Sequence, residues 1–106
     1  MITFDDFSKL KLQTGKVLEV EAHPNADRLY VLKVDIGQET IQLVAGLKAH
    51  YQPEELKGRN VVILVNLEPK SLRGVDSCGM LLAAQSEGQV RIISPDGDLP
   101  AGSLVK

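Results

Sequence analysis

The stretch "TIQLVAGLKAHYQPEELKGRNVVILV", Thr40 to Val65, decides the fold. It begins with period two, Ile41 and Leu43 alternating with polar neighbours, which predicts a strand. Then the pattern changes. In "YQPEELKG", Pro53 takes a first-turn position, where its missing N–H costs nothing. Glu54 and Glu55 beside it complement the positive end of a helix, and Gly58 after Leu56 is a stop signal. The prediction is a helix of about one or two turns. The continuous apolar run Val61 to Val65 that follows suits a strand with little free face.

Outward from this strand–helix–strand unit, the N-terminal side supplies two more strands. "LQTGKVLEVEAH" predicts a long strand over Leu12 to Ala22, with Gly15 as a bulge or bend. "HPNAD" is a loop, because Pro24, Asn25 and Asp27 carry turn chemistry. "RLYVLKVDIG" predicts a strand with Tyr30, Leu32, Val34 and Ile36 on one face. Before these, Thr3 with Asp6 forms a capping pattern that predicts a helical turn within Phe4 to Leu10. On the C-terminal side "NVVILVNL" and "GMLLAA" read as strands, "SEGQ" as a turn and "VRII" as a last short strand. An extended end is expected at Ser103 to Val105.

The short helix therefore falls between strands 3 and 4. That is the order of an all-β OB-fold, a five-stranded Greek-key barrel, here with small N- and C-terminal additions. A small barrel of the SH3 type is the competing architecture. No repeat or long linker divides the chain, so residues 1–106 are expected to form a single domain.

Composition narrows the function classes. Hydrophobic residues make up 43% and aromatics 4%, so the core is mainly Val, Leu and Ile. Twelve Lys+Arg against fourteen Asp+Glu give a net charge of −2, so any polyanion must be met by a local patch. The single cysteine, Cys78, excludes an internal disulfide framework and suits a reducing compartment. The opening "MITFDDFSKL" has neither a basic start nor an apolar core, so a secretory leader is not expected. The longest apolar run is too short to span a bilayer, and a cytoplasmic location without membrane contact is expected.

An enzyme would need a nucleophile with a base, paired carboxylates, a metal cluster or a phosphate loop. The two histidines, His23 and His50, and the lone thiol form no such spacing. His23 with Asp27 is a poor metal pair, and a structural loop histidine is the better reading. Cys78 beside Gly79 reads as a small buried thiol rather than a catalytic one. Hence no catalytic residue, cofactor or metal is expected.

The patch in "VNLEPKSLRGVDSCGMLLAA" is the stronger candidate. Arg28, Lys33, Lys70 and Arg73 fall on or beside predicted strands, where cations can meet phosphates. Asn66 and Ser77 can hydrogen-bond sugar or phosphate oxygens, and Gly74 and Gly79 would let a backbone approach. Met80 could lie against a base or ribose. The competing reading is a solvated face with Met80 in the core. Aromatics are scarce, which disfavours single-strand stacking and favours reading a folded RNA through its backbone.

The segments "HPNADRLYVLKVDIG", "YQPEEL" and above all "NLEPKSLRGVDSCGMLLAA" resemble the tRNA-binding domain family, and the opening "ITFDDFSKLKLQTGKV" extends the resemblance across the chain. Members include the C-terminal domain of methionyl-tRNA synthetases, free-standing dimeric tRNA-binding proteins and domains of synthetase-associated cofactors. The resemblance implies an OB-fold that binds the outer corner of tRNA by shape, with no enzyme activity of its own. It implies tRNA-binding roles for Asn66, Lys70, Arg73, Ser77, Gly79 and Met80, and less directly for Arg28 and Lys33. Position 70 holds Lys where an Arg is common in the family, which keeps the charge but loses the bidentate fork. It also implies a homodimer through the terminal segments and the catalytic part of a synthetase as a partner. Phe4, Phe7, Leu10, Leu99, Leu104 and Val105 give both ends apolar residues for such pairing. Two relatives of the fold compete: the N-terminal region of the phenylalanyl-tRNA synthetase β chain, which shares "HPNADRL", and a secretion-related chaperone-like dimer that binds peptides.

Overall fold

The computed structural model describes residues 1–106, with elements α1 (Phe4–Ser8), β1 (Leu12–Ala22), β2 (Tyr30–Asp35), β3 (Thr40–Ala45), α2 (Pro53–Leu56), β4 (Asn60–Leu64), β5 (Lys70–Leu72), β6 (Val75–Ser77), β7 (Met80–Leu81), β8 (Ala83–Ser86), β9 (Gln89–Ile92) and β10 (Leu104–Val105). β1 is the axis of this arrangement. It pairs antiparallel with both β2 and β4, β3 pairs with β2, and β7 pairs with β4. The resulting order, β3-β2-β1-β4-β7, returns the fourth strand beside the first, as a Greek key does. β10 also pairs with β1 and ties the C-terminal segment to the barrel.

The alternating faces of β2 build the core. Tyr30, Leu32 and Val34 point inward, where Val17, Leu43, Val61 and Ile63 meet them. α2 closes one end by bringing Leu56 beside Leu47 and Tyr51. Burying a leucine of this kind contributes roughly 1.5–3 kcal/mol. The polar ends of the two core tyrosines are satisfied: the Tyr30 hydroxyl donates to the Tyr51 carbonyl at 2.7 Å, and the Tyr51 hydroxyl accepts from the Ile92 amide at 3.0 Å.

Barrel closure falls to the chain leaving β6. The Cys78 amide donates to the Gln42 carbonyl at 2.8 Å, and the Val44 amide donates to the Ser77 hydroxyl at 3.0 Å. A side chain thus takes part in joining β3 to the far side of the barrel.

Several sequence expectations need correction. Gly15 is not the bulge: the register with β2 shifts between Val17 and Glu19. Gly15 answers a space constraint instead, since a Cβ there would come 2.6 Å from Val34 Cγ1. "GMLLAA" is not one strand, because the chain breaks at Leu82 between β7 and β8. The Cys78 thiol is half-buried rather than fully buried. The β5–β6 hairpin lies within a segment for which no strand was expected. The capped helical turn, with reciprocal bonds between Thr3 and Asp6 at 3.1 Å, and the Leu12–Ala22 strand match their expectations. No helix is long and apolar enough to cross a membrane.

Candidate nucleic-acid interface

The β5–β6 hairpin builds the site. Its register pairs Lys70 with Ser77, Ser71 with Asp76 and Leu72 with Val75. Arg73 and Gly74 form the two-residue loop, both with positive φ, 53° and 87°. Two left-handed central residues give a turn whose twist matches that of the flanking strands. The turn pushes Arg73 outward at the tip, and Lys70 is exposed on β5.

A lone two-stranded hairpin is marginal in water, so its fastenings matter. On the β6 side, the Gln42 side chain donates through Nε2 to the Asp76 carbonyl at 3.0 Å, alongside the Ser77 and Cys78 bonds of the barrel closure. On the β5 side the fastening comes from the β1–β2 loop. His23, only 5% exposed, has Nε2 2.8 Å from the Leu72 carbonyl oxygen. The Asn25 amide donates to His23 Nδ1 at 2.9 Å, so the ring proton sits on Nε2 and is donated to Leu72. The Asn25 side chain donates to the Arg73 carbonyl at 3.2 Å.

This arrangement brings Arg28 and Arg73 to one cleft of about 340 Å³, which Asn25 and Asp27 also line. Two arginines lining one cleft bring positive charge to it, which favours an anion there. Lys33 stands on the outer face of β2, where its ammonium donates to Gln42 Oε1 at 2.7 Å. The same Gln42 holds Asp76, so Lys33 is tied to the hairpin through one intervening side chain. Met80 is 46% exposed on β7, which places it outside the core.

Three of the expected ligand-facing residues have internal duties. Ser77 is 7% exposed, and its hydroxyl accepts from Val44 and donates to the Gly79 carbonyl at 3.2 Å. Gly79 is buried with φ 147°, and a Cβ there would meet the Leu64 carbonyl oxygen at 3.2 Å, so both backbone conformation and space call for glycine. The Asn66 side chain accepts from the Lys11 amide and donates to the Lys9 carbonyl, both at 2.8 Å, and so pins the end of α1. His23 is the structural loop histidine expected from the sequence, but its tie to the hairpin, and those of Asn25 and Gln42, were not foreseen. The signal was present for the hairpin itself: "SLRGVD" sets an Arg-Gly pair between alternating residues.

A second surface lies at the termini. Phe4, Phe7, Leu10, Leu104 and Val105 line a groove of about 500 Å³ beside Asn66. Phe4 is 79% exposed, and α1 contributes no buried residue. No group of three His, Cys, Asp or Glu side chains stands close enough to hold a metal ion.

Comparison with known proteins follows the same outline. The pattern of the tRNA binding domain family matches residues 12–104. The chain is 57% identical over 105 residues to a methionine–tRNA ligase of Thermococcus kodakarensis, and 55% identical to one of Pyrococcus abyssi. Each match covers 99% of this chain and 14% of the relative, so the chain spans about one-seventh of the length of these curated relatives. Among solved structures, a MetRS-related protein from Pyrococcus horikoshii superposes with a TM-score of 0.94 at 36% identity, covering 100% of this chain and 98% of that one. The chaperone CsaA of Bacillus anthracis gives a TM-score of 0.91 at 32% identity, covering 100% and 99%.

Proposed function

The chain belongs to the tRNA binding domain family, and from that premise we propose that it is a non-catalytic module holding tRNA by shape and backbone. The observation that carries this reading is the convergence of Arg28 and Arg73 on one cleft, with Lys70 exposed on the same hairpin as Arg73. Cations so grouped meet phosphates without reading bases. The rings support backbone over single-strand recognition. Tyr30 and Tyr51 are buried in the core, Phe4 and Phe7 lie at the terminal groove, and the residues lining the cleft include no aromatic. No stacking platform accompanies the cations, whereas single-strand binders rely on one.

In this reading residues 1–106 act as one unit, and Arg28, Lys33, Lys70, Arg73 and Met80 face the tRNA. Asn66, Ser77 and Gly79 hold that surface in shape. The long methionine–tRNA ligases among the relatives favour a role beside the catalytic part of a synthetase. There the module raises the effective concentration of tRNA near the catalytic site without new contacts to the amino acid. Two copies pair through the terminal groove. The five-residue α1 is too short to be stable alone and keeps Phe4 in solvent, and isologous pairing would cover both.

Competition for the chain between tRNA, duplex DNA and unstructured single-stranded RNA tests the reading. Preference for tRNA at matched charge is the expected result. Equal binding of all three would remove shape recognition. A peptide-binding, chaperone-like function is the second reading, favoured by the apolar terminal groove and the likeness to CsaA. It assigns no task to the Arg28–Arg73 cleft, and an unfolded peptide that displaces tRNA from the chain would favour it.

A further inference from the structure

We infer that His23 is a positioning residue for tRNA binding: it holds the β5–β6 hairpin so that Arg73 stays beside Arg28. The inference rests on the tRNA reading above and adds a residue to it. It starts from an unusual use of a histidine. The ring is buried, and both of its nitrogens are engaged. It accepts from Asn25 within its own loop and donates to Leu72 across to the hairpin. Asn25, fixed by that first bond, adds a second tie to Arg73 itself.

These two bonds act on the part of the hairpin that most needs them. β6 is tied to the barrel through Asp76, Ser77 and Cys78. β5 and the turn instead reach the β1–β2 loop through His23 and Asn25. The turn carries Arg73, which faces the like charge of Arg28 in the shared cleft. Like charges that line one cleft disfavour one another, and Asp27 is the acidic residue among its lining. The His23–Leu72 and Asn25–Arg73 bonds fix in advance the backbone that carries Arg73 at the cleft it shares with Arg28. Binding then need not bear the cost of ordering the hairpin.

The test is a double-mutant cycle on tRNA affinity, with the fold followed by thermal unfolding. His23→Leu fills the space but cannot hydrogen-bond, and His23→Gln keeps an acceptor and a donor on one side chain. The leucine variant is expected to bind tRNA roughly fivefold to tenfold more weakly while the barrel remains folded. The glutamine variant is expected to recover most of that loss. In a His23→Leu background, Arg73→Ala should weaken binding further by much less than it does in the unaltered chain, because the two act as one unit. Fully additive losses, or unchanged affinity in a folded leucine variant, would overturn the inference. Should the leucine variant fail to fold, Asn25→Ala, which removes the side-chain tie to Arg73, carries the same cycle. If Arg73→Ala alone leaves affinity unchanged, the tRNA surface itself is wrong and this inference falls with it. If Arg73→Ala weakens binding but the two clamp variants do not, only the clamp is rejected.

Discussion

The Val44 amide donates to the Ser77 hydroxyl at 3.0 Å, so the barrel is joined between β3 and β6 by a side chain. The same hydroxyl donates to the Gly79 carbonyl and shapes the approach to Met80. Ser77→Ala should therefore act through structure. It leaves a partly buried amide without a partner and is expected to cost about 1–3 kcal/mol of stability. Urea unfolding measures this, and the salt dependence of tRNA binding by the folded fraction should not change. An unaltered unfolding midpoint would remove Ser77 from the closure.

Met80 gives the opposite pattern. Being half-exposed, it can be truncated to alanine with a stability change of roughly half a kcal/mol or less. Affinity for tRNA is expected to fall while the slope of log affinity against log salt stays constant, because no charge is lost. A destabilised variant that binds normally would return Met80 to a packing role.

Pairing of two copies is read by light scattering at micromolar concentration, with a mass of twice 11.5 kDa expected. Phe4→Glu, which sets a charge in the terminal groove, should yield the monomer mass. Asn66→Ala should weaken pairing without a charge change, since it releases Lys9 and Lys11 at the end of α1. A monomer mass for the unaltered chain rejects the pairing.

Two groups bear on the pH dependence of stability. Hydrogen bonds from the Thr3 backbone and side chain hold the Asp6 carboxyl below its ordinary value of 3.8. Its stabilising share is thus present above that value and is lost as pH falls through the lowered one. Burial, and then the negative charges of Glu54 and Glu55, push the Tyr30 phenol above its ordinary 10.0. The unfolded chain ionises this group more readily, so stability is whole below pH 10.0 and falls as pH rises beyond it. Asp6→Asn should flatten the acid limb of the stability curve and Tyr30→Phe the alkaline limb. Limbs unchanged by these substitutions would assign the pH dependence to other groups.

Particular residues explain what was legible in the sequence. Pro53, Glu54 and Gly58 act through local backbone chemistry, and α2 lies where they put it. The Thr3–Asp6 cap and the alternation of Tyr30, Leu32 and Val34 are equally local, and both are present in the fold. Gly15 misled because its need is space: what a Cβ would meet belongs to a residue far along the chain, Val34. The internal bonds of Asn66 and Ser77 were hidden for the same reason. A hydroxyl or amide near cations looks free until the partner that claims it, Val44 or Lys11, is brought in by the barrel. The exposure of Arg28, Lys70 and Arg73 was legible, since a charged side chain with no partner of opposite charge remains at the surface.

The central claim is that Arg28, Lys70 and Arg73 form one tRNA-backbone surface. The most direct measurement is the affinity of Arg28→Ala, Lys70→Ala and Arg73→Ala, singly and combined, for several tRNAs across a range of salt. Each replacement is expected to weaken binding to every tRNA alike and to lower the slope of log affinity against log salt by roughly 0.7–0.9. The combined variant should show close to the sum of the three slope changes. Slopes and affinities equal to those of the unaltered chain would contradict the account and move the binding surface to another face of the barrel.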